Sequence, residues 1–84
     1  MEKYTVCKTA RVDKKISCLP KQAQKMYKKA LSLLENPKYP SLNTHRYDED
    51  RGKDVWGSYA SKRDRVFWIY DSDWTIFVID IDSH

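Results

Sequence analysis

Between residues 55 and 82 lie three apolar runs rich in aromatic and β-branched residues: "VWGSYAS" (55–61), "RVFWIY" (65–70) and "WTIFVIDID" (74–82). Only the polar pieces "KRD" and "DSD" separate them. Connections this short leave no room for a crossover helix, so successive strands must run antiparallel as a meander. A sheet that apolar needs a cover on at least one face.

The cover comes from upstream. "PKQAQKMYKKALSLLENP" places Ala23, Met26, Tyr27, Ala30, Leu31, Leu33 and Leu34 on one helical stripe, with Lys21, Lys25, Lys28 and Lys29 mostly away from it. Pro20 suits the first helical position, and Asn36 and Pro37 end the helix. Before it, Thr9 can cap a short helix in which Val12, Ile16 and Leu19 recur at i, i+4 and i+7. "KYTVCKT" reads as a first strand, and the prolines of "PKYPSL" make a stiff corner packed by Tyr39. "LNTHRY" is a short edge strand or a loop, and "DEDRGKD" is a turn. The order is β-α-α-β-β-β. The expectation is one α+β domain over residues 1–84, two helices on one face of a small, twisted, largely antiparallel sheet. Where the first strand inserts is left open.

A chain of 84 residues buries only about 60–65% of its unfolded surface. Three Trp, six Tyr and two Phe must supply much of that burial. Trp56 and Trp68 are expected in the core, and Trp74, beside a turn, is the tryptophan free to stack on something outside. Cys7 and Cys18 match no metal or redox spacing. No run is long and apolar enough to span a membrane or to act as a signal peptide, so a cytoplasmic protein with reduced thiols is expected.

The net charge of +4 is unevenly distributed. Residues 1–40 hold ten Lys/Arg against three acids, and residues 41–84 hold six against nine. A basic front half suits a phosphate backbone or an acidic protein, and equally a solvated helix face.

With Ser72 and Asp73 as a two-residue hairpin turn, Asp71 lies opposite Trp74 and Arg65 opposite Asp80, with Arg63 near Asp82. Alternation then gathers Arg63, Arg65, Phe67, Ile69, Ile76, Val78, Asp80, Asp82 and His84 on one face. Val66, Trp68, Tyr70, Thr75, Phe77, Ile79 and Ile81 fall on the face that meets the helices. A face apolar at one end and carrying Arg, Asp and His at the other has the makings of a site. It is also what an Arg65–Asp80 ion pair would produce. Asp80, Asp82 and His84, at i, i+2 and i+4, form a conceivable metal set, but no further ligands accompany them.

Three blocks in order carry a resemblance: "LPKQAQKMYKKALSLLENPKYPSLNTHRY", "VWGSYASKRDRVFWIY" and "VIDIDSH". Together, from about Leu19 to His84, they resemble the RelE/ParE superfamily of bacterial toxin–antitoxin toxins, on the RelE-like side. The resemblance implies the same β-α-α-β-β-β fold. It implies a metal-independent endoribonuclease without cofactor that cuts mRNA on the ribosome and is neutralised by a cognate antitoxin. Arg65 then corresponds to an arginine near the scissile phosphate and His84 to a histidine ending the last strand. His45, Arg46, Lys62 and Arg63 fall in regions that supply basic contacts to RNA, and Asp80 or Asp82 would support His84.

RNA carries its own nucleophile, the 2′-hydroxyl. A cleaving protein must take that proton, stabilise charge on phosphorus and protonate the departing 5′-oxygen. A planar, permanently charged guanidinium suits the second task. An imidazole suits either proton transfer, contributing about 10²–10⁴-fold. A gyrase-poisoning relative of the ParE type, needing no such histidine, and a non-catalytic binding relative are the alternatives.

Overall fold

The computed structural model describes residues 3–47 and 54–83. In chain order these form β1 (Thr5–Lys8), α1 (Ala10–Ser17), α2 (Lys21–Leu33), a 3₁₀ turn (Pro40–Leu42), β2 (His45–Arg46), β3 (Trp56–Tyr59), β4 (Asp64–Tyr70) and β5 (Thr75–Ser83). The five strands make one sheet in the order β1-β5-β4-β3-β2. β1 joins the edge parallel to β5, and every other pairing is antiparallel. The α+β arrangement is the expected one, with a two-residue strand added from "LNTHRY".

Local rules account for the helices. Thr9 caps α1, its Oγ1 accepting the Val12 amide at 3.1 Å. Helix α2 starts one residue after Pro20, which stands at its cap rather than inside it. Val12, Ile16, Tyr27, Ala30 and Leu34 pack on Val66, Trp68, Ile76, Val78 and Ile81 in one core. Leu42 of the 3₁₀ turn closes the open end. Tyr39, expected to pack the corner, is exposed instead.

The β4–β5 register differs from the expected one in two steps. Tyr70 pairs with Ile76, and the Asp71 amide donates to the Thr75 carbonyl at 2.9 Å. The hairpin loop is therefore three residues, Ser72–Asp73–Trp74. A two-residue loop without glycine would hold Ser72 or Asp73 at positive φ. The longer loop needs only one such residue, Trp74 at φ 56°. That conformation is uncomfortable for a bulky side chain, but it serves to dock β1. The Trp74 carbonyl accepts the Thr5 amide at 2.7 Å, and its ring lies 4.8 Å from that of Tyr4.

A one-residue slip exchanges the faces. Ile76 and Val78 therefore turn into the helical core, and Phe77, opposite Ile69, turns away. A bulge between Phe67 and Trp68, against Asp80 and Val78, adds a second slip. Beyond it Arg65 pairs with Asp82 rather than Asp80, and Ile81 returns to the helix side. The two slips cancel in facing, which returns Asp82 to the outer face with Arg65, whose side is set by alternation along β4.

Candidate nucleic-acid interface

The face of the sheet turned away from the helices is built by alternation along β2, β3 and β4. His45 pairs with Gly57, Gly57 with Phe67, and Tyr59 with Arg65, so all five share it. Tyr47 continues β2, its amide donating to the Val55 carbonyl at 2.8 Å, and lands two residues from His45 on the same side.

These side chains touch in series. The Arg65 guanidinium lies over the Tyr59 ring, Cζ 3.9 Å from the centroid. Tyr59 meets the His45 ring edge-on at 5.9 Å, and His45 stacks on Tyr47 at 5.0 Å with 28° between planes. Tyr47 meets Phe67 at 5.2 Å and 90°. His45 Nε2 and Tyr47 Oη are 2.9 Å apart. Among the described residues, the hydrogen bond of the Arg65 side chain runs from Nη1 to the Lys62 carbonyl at 3.3 Å. A cation shelved on a ring, beside an imidazole and two phenols, is a surface for a phosphate flanked by flat bases. It is shallow, with Phe67 buried beneath and His45 exposed.

The expected site residues divide. Arg65 and His45 join this platform. Lys62 and Arg63 stand exposed in the β3–β4 turn at its border. Arg46 does not join. It pairs with Trp56, on the opposite face from its neighbour His45, where its guanidinium lies 5.4 Å from the Trp56 ring and 3.0 Å from Asp54. Asp80 is engaged by Lys15 of α1 at 2.6 Å, and Asp82 faces Arg65 in the register. His84 lies outside the described residues. Among them, no three His, Cys, Asp or Glu side chains gather as a metal set.

Tyr47, Gly57 and Tyr59 were not foreseen. Reading "THRY" as a strand would have put His45 and Tyr47 on one face. A glycine inside "VWGSY" is itself a sign of close approach.

Behind the platform, Asp64 is turned toward α2. Ser61 Oγ donates to its Oδ2 at 2.6 Å, and the Tyr27 hydroxyl lies 3.2 Å from its Oδ1 and 3.3 Å from the Asp82 carbonyl. Burial, then the Asp64 charge, pushes the Tyr27 phenol well above the usual tyrosine range. Tyr27 is thus a neutral donor that pins the ends of β4 and β5 to the helix.

In sequence, no family model and no curated protein matches this chain. Its shape does match solved structures. RelE in the archaeal RelE–RelB complex from Pyrococcus horikoshii OT3 superposes with a TM-score of 0.75 at 19% identity, over 99% of this chain and 96% of that one. The RelBE2 toxin–antitoxin complex of Mycobacterium tuberculosis gives 0.77 at 14%, over 98% and 99%. YafQ from E. coli strain BL21(DE3) gives 0.73 at 10%, over 96% and 93%.

The fold is the one these RelE and YafQ structures share.

Each superposition spans more than nine tenths of both chains. At such low identity the shared property is the backbone frame, and chemistry must be argued from the side chains that the frame presents. Among the described residues, no helix is long and apolar enough to cross a membrane.

Proposed function

We propose that this protein is a toxin of a toxin–antitoxin pair and acts as an endoribonuclease on ribosome-bound mRNA. The observation that carries the reading is the Arg65 guanidinium shelved on Tyr59, sharing one helix-free sheet face with the imidazole of His45. Arg65 would hold the scissile phosphate and stabilise the charge that builds on it. Lys62 and Arg63 at the border would steer the flanking backbone. His84 is the proton-transfer group that the sequence resemblance supplies. The solved relatives in complex with antitoxins support a cognate antitoxin as partner. A groove of about 530 Å³ between α1 and the end of β5 suits an acidic, amphipathic segment. Leu19, Tyr27 and Ile81 line it, with Arg11, Lys14 and Lys15.

Induction in bacteria tests the reading, with wild type beside Arg65→Ala and His84→Ala. Wild type should arrest translation and leave cut mRNA, and Arg65→Ala should be harmless. DNA damage with intact mRNA would point to gyrase instead, and growth unaffected by wild type would reject a toxin altogether.

A further inference from the structure

Two members of the platform, Tyr47 and Gly57, hold the conformation of a third. Gly57 lies opposite His45 in the β2–β3 register. A Cβ on it would stand 2.3 Å from Tyr47 Cε2 and 2.5 Å from Cδ2, far inside contact distance. The phenol lies across β3 only because that side chain is missing. Seated there, it stacks on His45, meets Phe67 edge-on and places its Oη 2.9 Å from His45 Nε2. Tyr59 walls the imidazole on its other side. An exposed histidine on an edge strand ordinarily samples several rotamers, whereas this one is held by two rings and a hydrogen bond.

We propose that Gly57 and Tyr47 are positioning residues that hold His45 in one orientation, making it a proton-transfer imidazole of the Arg65 face. This rests on the endoribonuclease reading above. For Nδ1 to take a proton from single-stranded RNA, Nε2 carries the ring hydrogen and donates it to the Tyr47 hydroxyl oxygen 2.9 Å away. In the step it serves, the 2′-oxygen bonds to phosphorus and the P–O5′ bond breaks. The 2′-hydroxyl proton passes to the neutral imidazole, and the leaving 5′-oxygen takes a proton from solvent. The products are a 2′,3′-cyclic phosphate and a 5′-hydroxyl end. The ionisable groups around the ring are the phenols of Tyr47 and Tyr59, with Arg65 beyond Tyr59 and Asp82 across from Arg65.

Two measurements on the whole chain test this. The first is the His45 side-chain rotamer population, from NMR couplings and NOEs, in wild type, Tyr47→Phe and Gly57→Ala. The second is kcat and KM for cleavage of ribosome-bound mRNA by the same proteins and by His45→Gln. Wild type should hold one dominant rotamer. Tyr47→Phe, which keeps the ring but loses the hydroxyl, should spread His45 over several rotamers. With that, kcat should fall about tenfold and KM should stay within about twofold. Gly57→Ala should do the same with the phenol still present. His45→Gln should lose about 100-fold in kcat.

Unchanged His45 rotamer populations in Tyr47→Phe would overturn the positioning role. Spread rotamers with an unmoved kcat would overturn the catalytic one. A wild type that cuts no RNA would reject the endoribonuclease reading and the catalytic role with it, while the rotamer populations would still decide whether His45 is held.

Discussion

Ser58 stands between Gly57 and Tyr59 and faces the other way, so whatever holds it holds the platform from behind. It is fully buried. The Trp68 indole N–H donates to Ser58 Oγ at 2.9 Å, Ser58 Oγ lies 2.7 Å from Thr44 Oγ1, and Thr44 Oγ1 donates to the Pro37 carbonyl at 3.0 Å. Because the Thr44 hydrogen goes to Pro37, the Ser58 hydrogen must go to Thr44. The relay therefore runs one way, from Trp68 through Ser58 and Thr44 to Pro37, with every donor used.

Ser58→Ala breaks the relay at its centre and strands a buried indole N–H, since Trp68 is 0% exposed. An unsatisfied buried donor costs about 1–3 kcal/mol. The lost volume is only one oxygen, so the expected destabilisation is about 2 kcal/mol. In a domain of this size that lowers Tm by roughly 8–16 °C. Urea unfolding followed by tryptophan fluorescence measures it, with Trp68→Phe and the double variant completing a cycle. Trp68→Phe removes the stranded donor, so the double variant should be at least about 1 kcal/mol more stable than additivity predicts. A cost below about 0.5 kcal/mol for Ser58→Ala, together with additive effects, would refute the relay as a structural element.

Tyr27→Phe should show a pH signature. At pH 8 the wild type is the more stable, through its hydroxyl contacts to Asp64 and the Asp82 carbonyl. The folded phenol titrates above its ordinary value of about 10, because of burial and then Asp64. Above that pH the unfolded chain loses a proton that the native state keeps, and wild-type stability falls with rising pH by up to about 1.4 kcal/mol per unit. The gap to Tyr27→Phe should narrow between pH 9 and 11 in urea melts, and a constant gap would contradict the assignment. Lys15→Met should cost roughly 1 kcal/mol by removing the Lys15–Asp80 ion pair, a modest figure because the lysine is 39% exposed. The deficit should shrink in about 1 M salt, and a salt-independent deficit would place the effect in packing instead.

Local signals carried much of the fold. The Thr9 cap, the apolar stripes of both helices and the strand runs are contiguous in sequence, and they fold as written. Register was the weak point because it depends on a loop length and a bulge. Nothing in "YDSDWT" announces that Trp74 will accept positive φ, and nothing in "FVIDID" announces the extra residue near Ile79. Arg65 reached the expected face because alternation along β4 is regular, and Asp82 joined it only because the two slips cancel. The site was half legible for a related reason. Arg65 sits on a long, strongly patterned strand. The His45–Tyr47–Gly57 cluster depends on a two-residue strand paired to a segment about ten residues downstream, a contact that composition does not encode.

Charge illustrates the same point and leads to a further test. The second half of the chain carries more acids than bases, a balance that opposes RNA binding. Pairing moves much of that acid away from the platform. Asp54 is taken by Arg46 on the other face, Asp80 by Lys15, and Asp64 by Ser61 and Tyr27 behind the sheet. Around the rings stand Arg65, Lys62 and Arg63, with Asp82 across from Arg65. If these three make the phosphate contacts, log K for a short single-stranded RNA should fall with log salt at a slope of about −2, near −0.7 per neutralised phosphate. Binding across the lysines of α1 and α2 would recruit more cations and steepen the slope to roughly −4. Arg65→Gln should flatten the first slope by about 0.7 and leave the second untouched. A steep slope indifferent to Arg65 would therefore move RNA off the sheet and onto the helices.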